Sequence, residues 1–396
     1  MTLQFNRESL SARLKTVKPS PTIAITRLAA ELRRNGKNIV ALSQGEPDFD
    51  TPDHIKAAAK NAIDNGETKY TDVDGTPALK RAIVDKFKNE NGLDYEVANI
   101  SVGTGGKQVI FNAFSATLDQ GDEVIIPAPY WVSYPDMVLL TGGVPVTVSC
   151  GEKSGFKLTA EALEGAITPR TKWLVLNSPS NPTGAGYSAA ELKALAEVLL
   201  RHPRVLVMTD DMYEHIRYDG WEFYTITAVE PRLRERVLTC NGVSKAYAMT
   251  GWRIGWIEAP EAFGQVIENL IQYSTSGSPV FVQRGAVAAL DEGEGFVAEQ
   301  IARAAEGRRI IFEGLKATNR VTLSAPVGAF YQFFSIDGRD DSRKLALELV
   351  DKANVGLTPG TAFGPGGETG LRLCFARKSS DLVEAVARLQ KALAIL

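Results

Sequence analysis

The sequence predicts an α/β fold, with a large domain built on a mostly parallel sheet flanked by helices and a smaller α+β domain. From about residue 95, short β-rich runs alternate with longer runs of helical periodicity, which is typical of parallel sheets covered by helices. The chain has 396 residues, enough for one large or two ordinary domains. Because the composition shifts after about residue 290, we assign residues 48–290 to the large domain and residues 1–47 and 291–396 to the smaller one.

The N-terminal region predicts a basic helical stretch within residues 9–37, which a Pro-bounded loop at residues 17–22 interrupts. A short strand at residues 39–42 and a turn rich in Gly and Pro follow it. Amphipathic helices are predicted at residues 53–64 and 76–91.

The rest of the predicted large domain contains six strands and four helices. The strands lie at residues 123–126, 145–149, 173–176, 205–209, 236–240 and 253–257, and the helices at 107–118, 131–140, 159–166 and 189–201. Beyond residue 290 we predict helices at 297–315, 341–353 and 380–394, and strands at 328–334 and 371–375.

Polar segments follow three of the predicted strands. They are residues 177–184, residues 210–213 and the pair Ser244 and Lys245. Ligands of open α/β sheets bind beyond the carboxyl ends of the strands. The sequence therefore predicts a binding site where these three segments meet.

Lys245 indicates the chemistry of this site. Small residues surround it in the segment 242–255, and Arg253 follows eight positions later. A lysine that forms a Schiff base needs room around its amine and a lowered pKa, and the planar fork of an arginine suits a phosphate. Covalent attachment and a phosphate anchor are what pyridoxal 5′-phosphate (PLP) requires. The alternative is a surface lysine and an arginine in a salt bridge.

Several further motifs accompany the lysine segment. They are Val17–Ser20, Gly45–Phe49, Gly103–Gln108, Pro129–Trp131, Asn181–Gly184, the Asp210/Tyr213 pair and Arg372. With these motifs the chain resembles the class I PLP-dependent aminotransferases over most of its length, and among them the bacterial aspartate aminotransferases of the aspartate/prephenate subgroup. The resemblance implies fold type I of the PLP-dependent transferases and PLP as the cofactor.

The resemblance also implies the catalytic residues. Lys245 should hold PLP covalently and then move a proton between the substrate and the cofactor. Asp210 should pair with the protonated pyridine nitrogen, whereas the adjacent Asp211 is expected to be a solvated loop residue. Tyr213 and Asn181 should donate hydrogen bonds to the phenolic oxygen of the ring.

The remaining cofactor contacts follow from the same resemblance. Backbone amides of Gly105, Gly106 and Lys107 open a predicted helix and should bind the phosphate together with Arg253. The other expected cofactor residues are Trp131, stacked on the ring, Ser244 beside the lysine, and Tyr70 from a neighbouring subunit. Tyr70 implies a homodimer with shared active sites.

The expected substrate residues are Arg372, Lys18, Gly45, Trp131 and Asn181. Arg372 should bind the α-carboxylate by a bidentate fork, and its alternative is a structural salt bridge. Lys18 should bind the distal carboxylate of a dicarboxylic substrate, although a lysine before proline is usually solvated. Gly45 should let the backbone approach the ligand.

The function we expect is transfer of an amino group between aspartate and 2-oxoglutarate by a ping-pong mechanism. Prephenate, aromatic or aliphatic substrates and a PLP lyase reaction are the alternatives on the same fold. A nicotinamide-dependent oxidoreductase is disfavoured, because the dinucleotide-binding glycine fingerprint is missing.

The composition narrows the partners and the compartment. A net charge of −3 favours neither nucleic acid nor an acidic membrane surface as a partner. No apolar run approaches ~20 residues, the length needed to span a bilayer. Three dispersed cysteines without a CxxC motif predict reduced thiols and no metal site. We therefore expect a cytoplasmic enzyme with small-molecule amino acid and 2-oxo acid substrates.

Overall fold

A seven-stranded sheet forms the centre of the larger part of the molecule. The computed structural model describes residues 9, 11–17 and 21–395, except for the side chains of residues 21–26. Across the sheet the strand order is β2-β8-β7-β6-β5-β3-β4. These strands are β2 (Ile100–Gly103), β3 (Glu123–Ala128), β4 (Val144–Ser149), β5 (Thr171–Asn177), β6 (Leu206–Asp210), β7 (Val237–Gly242) and β8 (Gly255–Glu258).

The sheet is mostly parallel, as predicted. Strands β4, β3, β5, β6 and β7 run in one direction, and β8 is antiparallel to both of its neighbours. The helices around this sheet are α3 (Asp53–Asp64), α4 (Pro77–Asn91), α5 (Gly106–Thr117), α6 (Ser133–Leu140), α7 (Ala160–Ala166), α8 (Ala189–Arg201), α9 (Ile226–Val229), α10 (Glu261–Ser274) and α11 (Val280–Glu292).

Neighbouring residues of the central strands enter two different cores. In β3, Val124 and Ile126 pack in one cluster with Val109 of α5, whereas Ile125 packs in a second cluster with Leu195 of α8. Because side chains alternate along a strand, a strand that is apolar at every position buries both of its faces. The sequences of the central strands are therefore apolar over most of their length.

Helix starts in this part are defined by local sequence. Thr76 caps α4, since its hydroxyl accepts a hydrogen bond from the Leu79 amide at 3.4 Å. Ser188 and Glu191 form a reciprocal capping box at the start of α8. Such caps satisfy amide groups that have no partner within the helix.

A second, four-stranded antiparallel sheet has the order β12-β13-β10-β9. Its strands are β9 (Val321–Leu323), β10 (Tyr331–Ile336), β12 (Thr358–Pro359) and β13 (Gly370–Cys374). The accompanying helices are α12 (Glu294–Lys316), α13 (Ser342–Ala353) and α14 (Ser379–Leu393), whose apolar faces share one core with this sheet.

The N-terminal segment contains α1 (Ala12–Thr16), α2 (Pro21–Arg34) and β1 (Val40–Ala41). Strand β1 pairs in parallel with β11 (Val355–Gly356), so the N-terminal segment is joined to the C-terminal part of the chain. The domain boundaries after residues 47 and 290 stay a prediction.

The structure contains two long helices that the sequence analysis did not predict, α10 and α11. A stretch rich in Ser, Gly and Pro, residues 275–279, separates them. It interrupts the periodicity on which the recognition of helices depends. In the described part of the chain, no helix is long and apolar enough to cross a membrane.

The strand β8 packs directly against the start of α5. A Cβ atom at Gly255 would lie 2.5 Å from the amide nitrogen of Gly106 and 2.8 Å from the carbonyl carbon of Gly105. Backbone atoms cannot rotate out of the way as side-chain ends can. Only glycine therefore lets the strand approach the helix start so closely.

We expect Gly255→Ala to lower the free energy of unfolding by about 1–3 kcal/mol, since the added methyl group overpacks this contact. The matched control is Gly295→Ala in α12, where a Cβ would meet nothing within 4 Å. Denaturant unfolding followed by fluorescence measures both variants. An unchanged midpoint for Gly255→Ala would show that the contact can relax.

Candidate active site

A cavity of about 440 Å³ opens beyond the carboxyl ends of β5, β6 and β7. Asn177 and Asp210, the last residues of β5 and β6, are paired across the sheet, and Asp210 is in turn paired with Cys240 of β7. Predicted site residues that line the cavity are Gly45, Gly106, Lys107, Trp131, Asn181, Asp210, Tyr213, Ser244, Lys245, Arg253 and Arg372.

The Lys245 amine lies inside this cavity. Its Nζ donates a hydrogen bond to the carbonyl oxygen of Gly45 at 2.7 Å. Loss of solvation lowers the pKa of Lys245 to about 8, and the positive charges of Arg372 and Arg253 act in the same direction. A substantial fraction of this amine is therefore uncharged near neutral pH, which nucleophilic chemistry requires.

Asp210 is a buried carboxylate with few donors. Its Oδ2 accepts a hydrogen bond from the Tyr134 hydroxyl at 2.5 Å, and its Oδ1 accepts a long one from the Met212 amide at 3.4 Å. Burial raises the pKa of Asp210, although the bond from Tyr134 opposes this rise. A buried carboxylate with so little compensation is suited to a cationic partner.

Arg372 is oriented by the protein from several sides. Its Nη1 donates to Oδ1 of Asn181 at 2.8 Å, and its Nη2 donates to the carbonyl oxygen of Ser43 at 2.6 Å. The rings of Tyr331 and Phe363 lie on the guanidinium, with centroids 4.7 and 4.9 Å from its Cζ. The fork is thus held in place before any ligand arrives.

The opposite end of the cavity combines a helix start with an arginine. Helix α5 begins at Gly106, and its backbone hydrogen bonds begin with the Gln108 amide, so the amides of Gly106 and Lys107 precede the first bond of the helix. A side chain at Gly105 would overlap the Arg253 guanidinium. Arg253 has a φ of 56°, an uncommon conformation for a residue other than glycine. This arrangement is suited to an anion such as a phosphate.

Lys107 and Trp131 stand together in the wall of the cavity. The Lys107 amine lies 5.0 Å from the ring centroid of Trp131. Burial lowers the pKa of Lys107, and the charge of Arg253 adds to this effect. The amine is therefore a poorly compensated cation close to the phosphate-binding end.

Among the described residues, two predicted site residues do not line the cavity, Gly105 and Tyr70. Gly105 lies behind it, against Arg253. Tyr70 is 92% exposed and does not line the cavity, so its expected role requires a second chain. Lys18 lies outside the described residues, and its role stays a prediction.

Residues of the site to which the sequence assigned no role include Arg27, Tyr134, Asn177 and Tyr331. Tyr134 binds Asp210, and the other three line the cavity. Asn177 begins one of the polar segments that were predicted to form the binding site, but it received no role of its own. Tyr134 and Tyr331 had no comparable signal, because their contacts join distant parts of the chain.

The expectation of a solvated Asp211 is wrong. Asp211 is 2% exposed, and its Oδ1 accepts a hydrogen bond from the Thr209 hydroxyl at 2.5 Å. Successive residues at a strand end point to opposite sides of the sheet. Asp210 therefore faces the cavity, whereas Asp211 enters the protein interior.

Comparison with known sequences identifies the family. Residues 37–389 match the profile described as Aminotransferase class I and II. An aspartate/prephenate aminotransferase of Cereibacter sphaeroides is 51% identical over 392 residues, which cover 96% of this chain and 98% of that protein. The aspartate aminotransferase of Rhizobium meliloti is 46% identical over 393 residues, which cover 96% of this chain and 95% of that protein.

Solved structures agree with this result and confirm the predicted fold class. The crystal structure of the Rhizobium meliloti aspartate aminotransferase has a TM-score of 0.94 at 46% identity and covers 98% of this chain and 99% of that one. The Thermus thermophilus aspartate aminotransferase with maleate has a TM-score of 0.92 at 40% identity and covers 97% and 99%. Matches over nearly the whole length of the chain show that it belongs to the aminotransferase class I and II family.

Proposed function

We propose that this aminotransferase binds PLP and moves an amino group between aspartate and 2-oxoglutarate in two half-reactions. The observation that carries the proposal is the charge of the cavity. Among the described lining residues, one carboxylate, Asp210, stands against five cationic side chains: Arg27, Lys107, Lys245, Arg253 and Arg372. A partly desolvated pocket with this excess favours ligands with several negative charges, here a phosphate and two carboxylates.

The residues present fit PLP. Asp210 supplies the poorly compensated carboxylate for a protonated pyridine nitrogen. The first amides of α5 and Arg253 supply the phosphate site, and Lys245 supplies the amine for attachment. When bound, PLP supplies an electron-withdrawing ring that stabilises negative charge at the substrate α-carbon.

The chain's own groups then have distinct tasks. Lys245 Nζ takes the proton from the α-carbon, for which its lowered pKa is suitable. Oδ1 of Asn181 accepts from Arg372, which leaves its Nδ2 to donate to the phenolic oxygen beside Tyr213. Arg372 binds the α-carboxylate with its preoriented fork.

Two cations remain for a second carboxylate. Lys107 and Arg27 line the cavity and are not needed for the α-carboxylate or for covalent attachment. The Thermus thermophilus neighbour was solved with maleate, a four-carbon dicarboxylate. Both observations support a dicarboxylic substrate. Relatives named aspartate/prephenate aminotransferase support prephenate, which also has two carboxylates, as a second acceptor.

We also infer a cytoplasmic homodimer with shared active sites. Tyr70 and Tyr273 are 92% and 88% exposed, which is unusual for large aromatic side chains and supports a covering partner. The three cysteines are buried and unpaired, in agreement with a reducing compartment.

A screen of single amino acids tests the proposed function. Protein reconstituted with PLP should lose its visible absorption band rapidly with aspartate and glutamate and slowly with neutral amino acids. The Lys245→Ala variant should show no turnover with either. Faster bleaching by aromatic or aliphatic amino acids would reject the aspartate assignment, and the lack of any PLP-dependent band in the native protein would reject the cofactor.

The Lys107→Met variant tests the second carboxylate site. We expect kcat/KM for aspartate to fall about 10- to 100-fold, the range for losing a charge-assisted hydrogen bond, while kcat/KM for alanine changes little. PLP affinity should persist, because the amide of residue 107 remains. The control is Lys391→Met on the exposed face of α14. Equal losses for aspartate and alanine would remove Lys107 from substrate recognition.

The pKa of Lys245 predicts how attachment of PLP to the apoprotein depends on pH. With the pKa at about 8, the uncharged amine increases with pH up to this value and is dominant above it. The attachment rate, followed by stopped-flow absorbance, should rise about tenfold from pH 6 to 7 and level off above pH 8. The rate at which PLP attaches to lysine acetylated at its α-amine, measured in parallel, corrects for the titration of PLP itself. A rate that still rises at pH 10 would contradict a desolvated amine.

A further inference from the structure

Tyr331 connects two residues with assigned roles. Its hydroxyl lies 2.8 Å from the hydroxyl of Tyr213, and its ring lies on the guanidinium of Arg372. Tyr331 begins β10 in the four-stranded sheet, whereas Tyr213 follows β6 in the seven-stranded sheet. The hydroxyl pair therefore bridges the two sheets at the base of the cavity.

The surroundings hold Tyr331 in one position. The side chain is 1% exposed, and its ring packs edge-on against Tyr213 with centroids 5.7 Å apart. A side chain at Gly45 would overlap the Tyr331 hydroxyl, so the glycine makes room for it. Neither the hydroxyl nor the ring of Tyr331 can move far without disturbing these neighbours.

We propose that Tyr331 is a positioning residue, whose hydroxyl directs the proton of Tyr213 into the cavity and whose ring holds the Arg372 guanidinium. The inference rests on the proposed function, because it assumes that Tyr213 donates to the phenolic oxygen of PLP. It assigns two separable tasks to one side chain: the hydroxyl acts on the cofactor through Tyr213, and the ring acts on the substrate carboxylate through Arg372.

The direction of the hydrogen bond follows from the number of protons. Each hydroxyl has a single proton to donate. If Tyr213 gave its proton to Tyr331, it would present only lone pairs to a negatively charged oxygen, which is repulsive. Tyr331 must therefore donate to Tyr213, and Tyr213 donates to the ligand. A hydroxyl that accepts a hydrogen bond also becomes a stronger donor.

The ring has an electrostatic task. Arg372 is 5% exposed and carries a full charge, and Nε has no hydrogen-bond partner among the described residues. Stacking between Tyr331 and Phe363 supplies part of the stabilisation that water would otherwise provide. The stack also fixes the plane in which the fork meets a carboxylate.

Three variants of the holoenzyme separate the two tasks. Tyr331→Phe removes the hydroxyl and keeps the ring, and Tyr331→Leu removes both the hydroxyl and the ring. Tyr213→Phe removes the hydroxyl that Tyr331 is proposed to direct. The other charged or titratable groups near the tyrosine pair include Asp210, Arg372, Cys374 and Tyr134, and all four are retained in every variant.

For Tyr331→Phe, the pKa read from the pH dependence of the visible PLP band should rise by about 0.4 to 1, the equivalent of one neutral hydrogen bond. KM for aspartate should stay within about twofold, because the ring remains. Relative to Tyr331→Phe, Tyr331→Leu should raise this KM about 2- to 10-fold and leave the pKa of the band unchanged, because the two variants differ only in the ring.

The double variant Tyr213→Phe/Tyr331→Phe provides the decisive comparison. Its band should titrate like that of Tyr213→Phe alone, because Tyr331 acts through the Tyr213 proton. If the pKa shifts of the two single variants added fully in the double variant, or if the Tyr331→Phe band titrated like the native one, the inference would be overturned while the proposed function stayed intact. A native protein without a PLP band would instead reject the proposed function.

Discussion

The parallel pairing of β5, β6 and β7 is the constraint on which the active site depends. Their register brings Asn177 next to Asp210 and Asp210 next to Cys240, with Lys245 a few residues beyond the end of β7. Polar groups from segments far apart in sequence thus leave the sheet at one edge. If one of these strands slipped by a residue, the Lys245 amine and the Asp210 carboxylate would no longer share a cavity, because the slipped side chains would point to the other face of the sheet.

Gathering these groups creates an excess of positive charge in a cavity where the Lys245 amine is desolvated. The protein manages this charge in several ways. The pKa of Lys245 is lowered, Arg372 is stacked between two rings, and Arg253 donates hydrogen bonds to the carbonyl oxygens of Thr250 and Thr104. The site is therefore organised in advance for anions, so that little rearrangement is needed when they bind.

Features of the fold and of the site could be predicted where a short segment of sequence carries the pattern that specifies them. The bounds of α3 and α8 agree with prediction, since both helices have amphipathic spacing and a capping box marks the start of α8. The strand-end rule located Asp210 and Lys245, and the fold class and the aminotransferase family are confirmed. Helices α10 and α11 were missed where Ser, Gly and Pro obscure the periodicity.

The residues that were missed share a physical feature. Tyr134, Tyr331 and Asp211 have their roles through contacts between elements that are distant in sequence, or through which side of a sheet they face. Neither property has a signature in a single segment. The individual roles of the predicted site residues stay predictions, although most of them now lie in one cavity.

The carbonyl oxygen of Gly45 orients the Lys245 amine from a different part of the chain. Lys245 extends from the seven-stranded sheet, yet its acceptor belongs to the segment whose Ser43 carbonyl also holds Arg372. This segment is tied to the C-terminal part of the chain through the pairing of β1 with β11. One short segment, residues 43–45, therefore orients both the Lys245 amine and the Arg372 guanidinium, although these side chains come from different sheets.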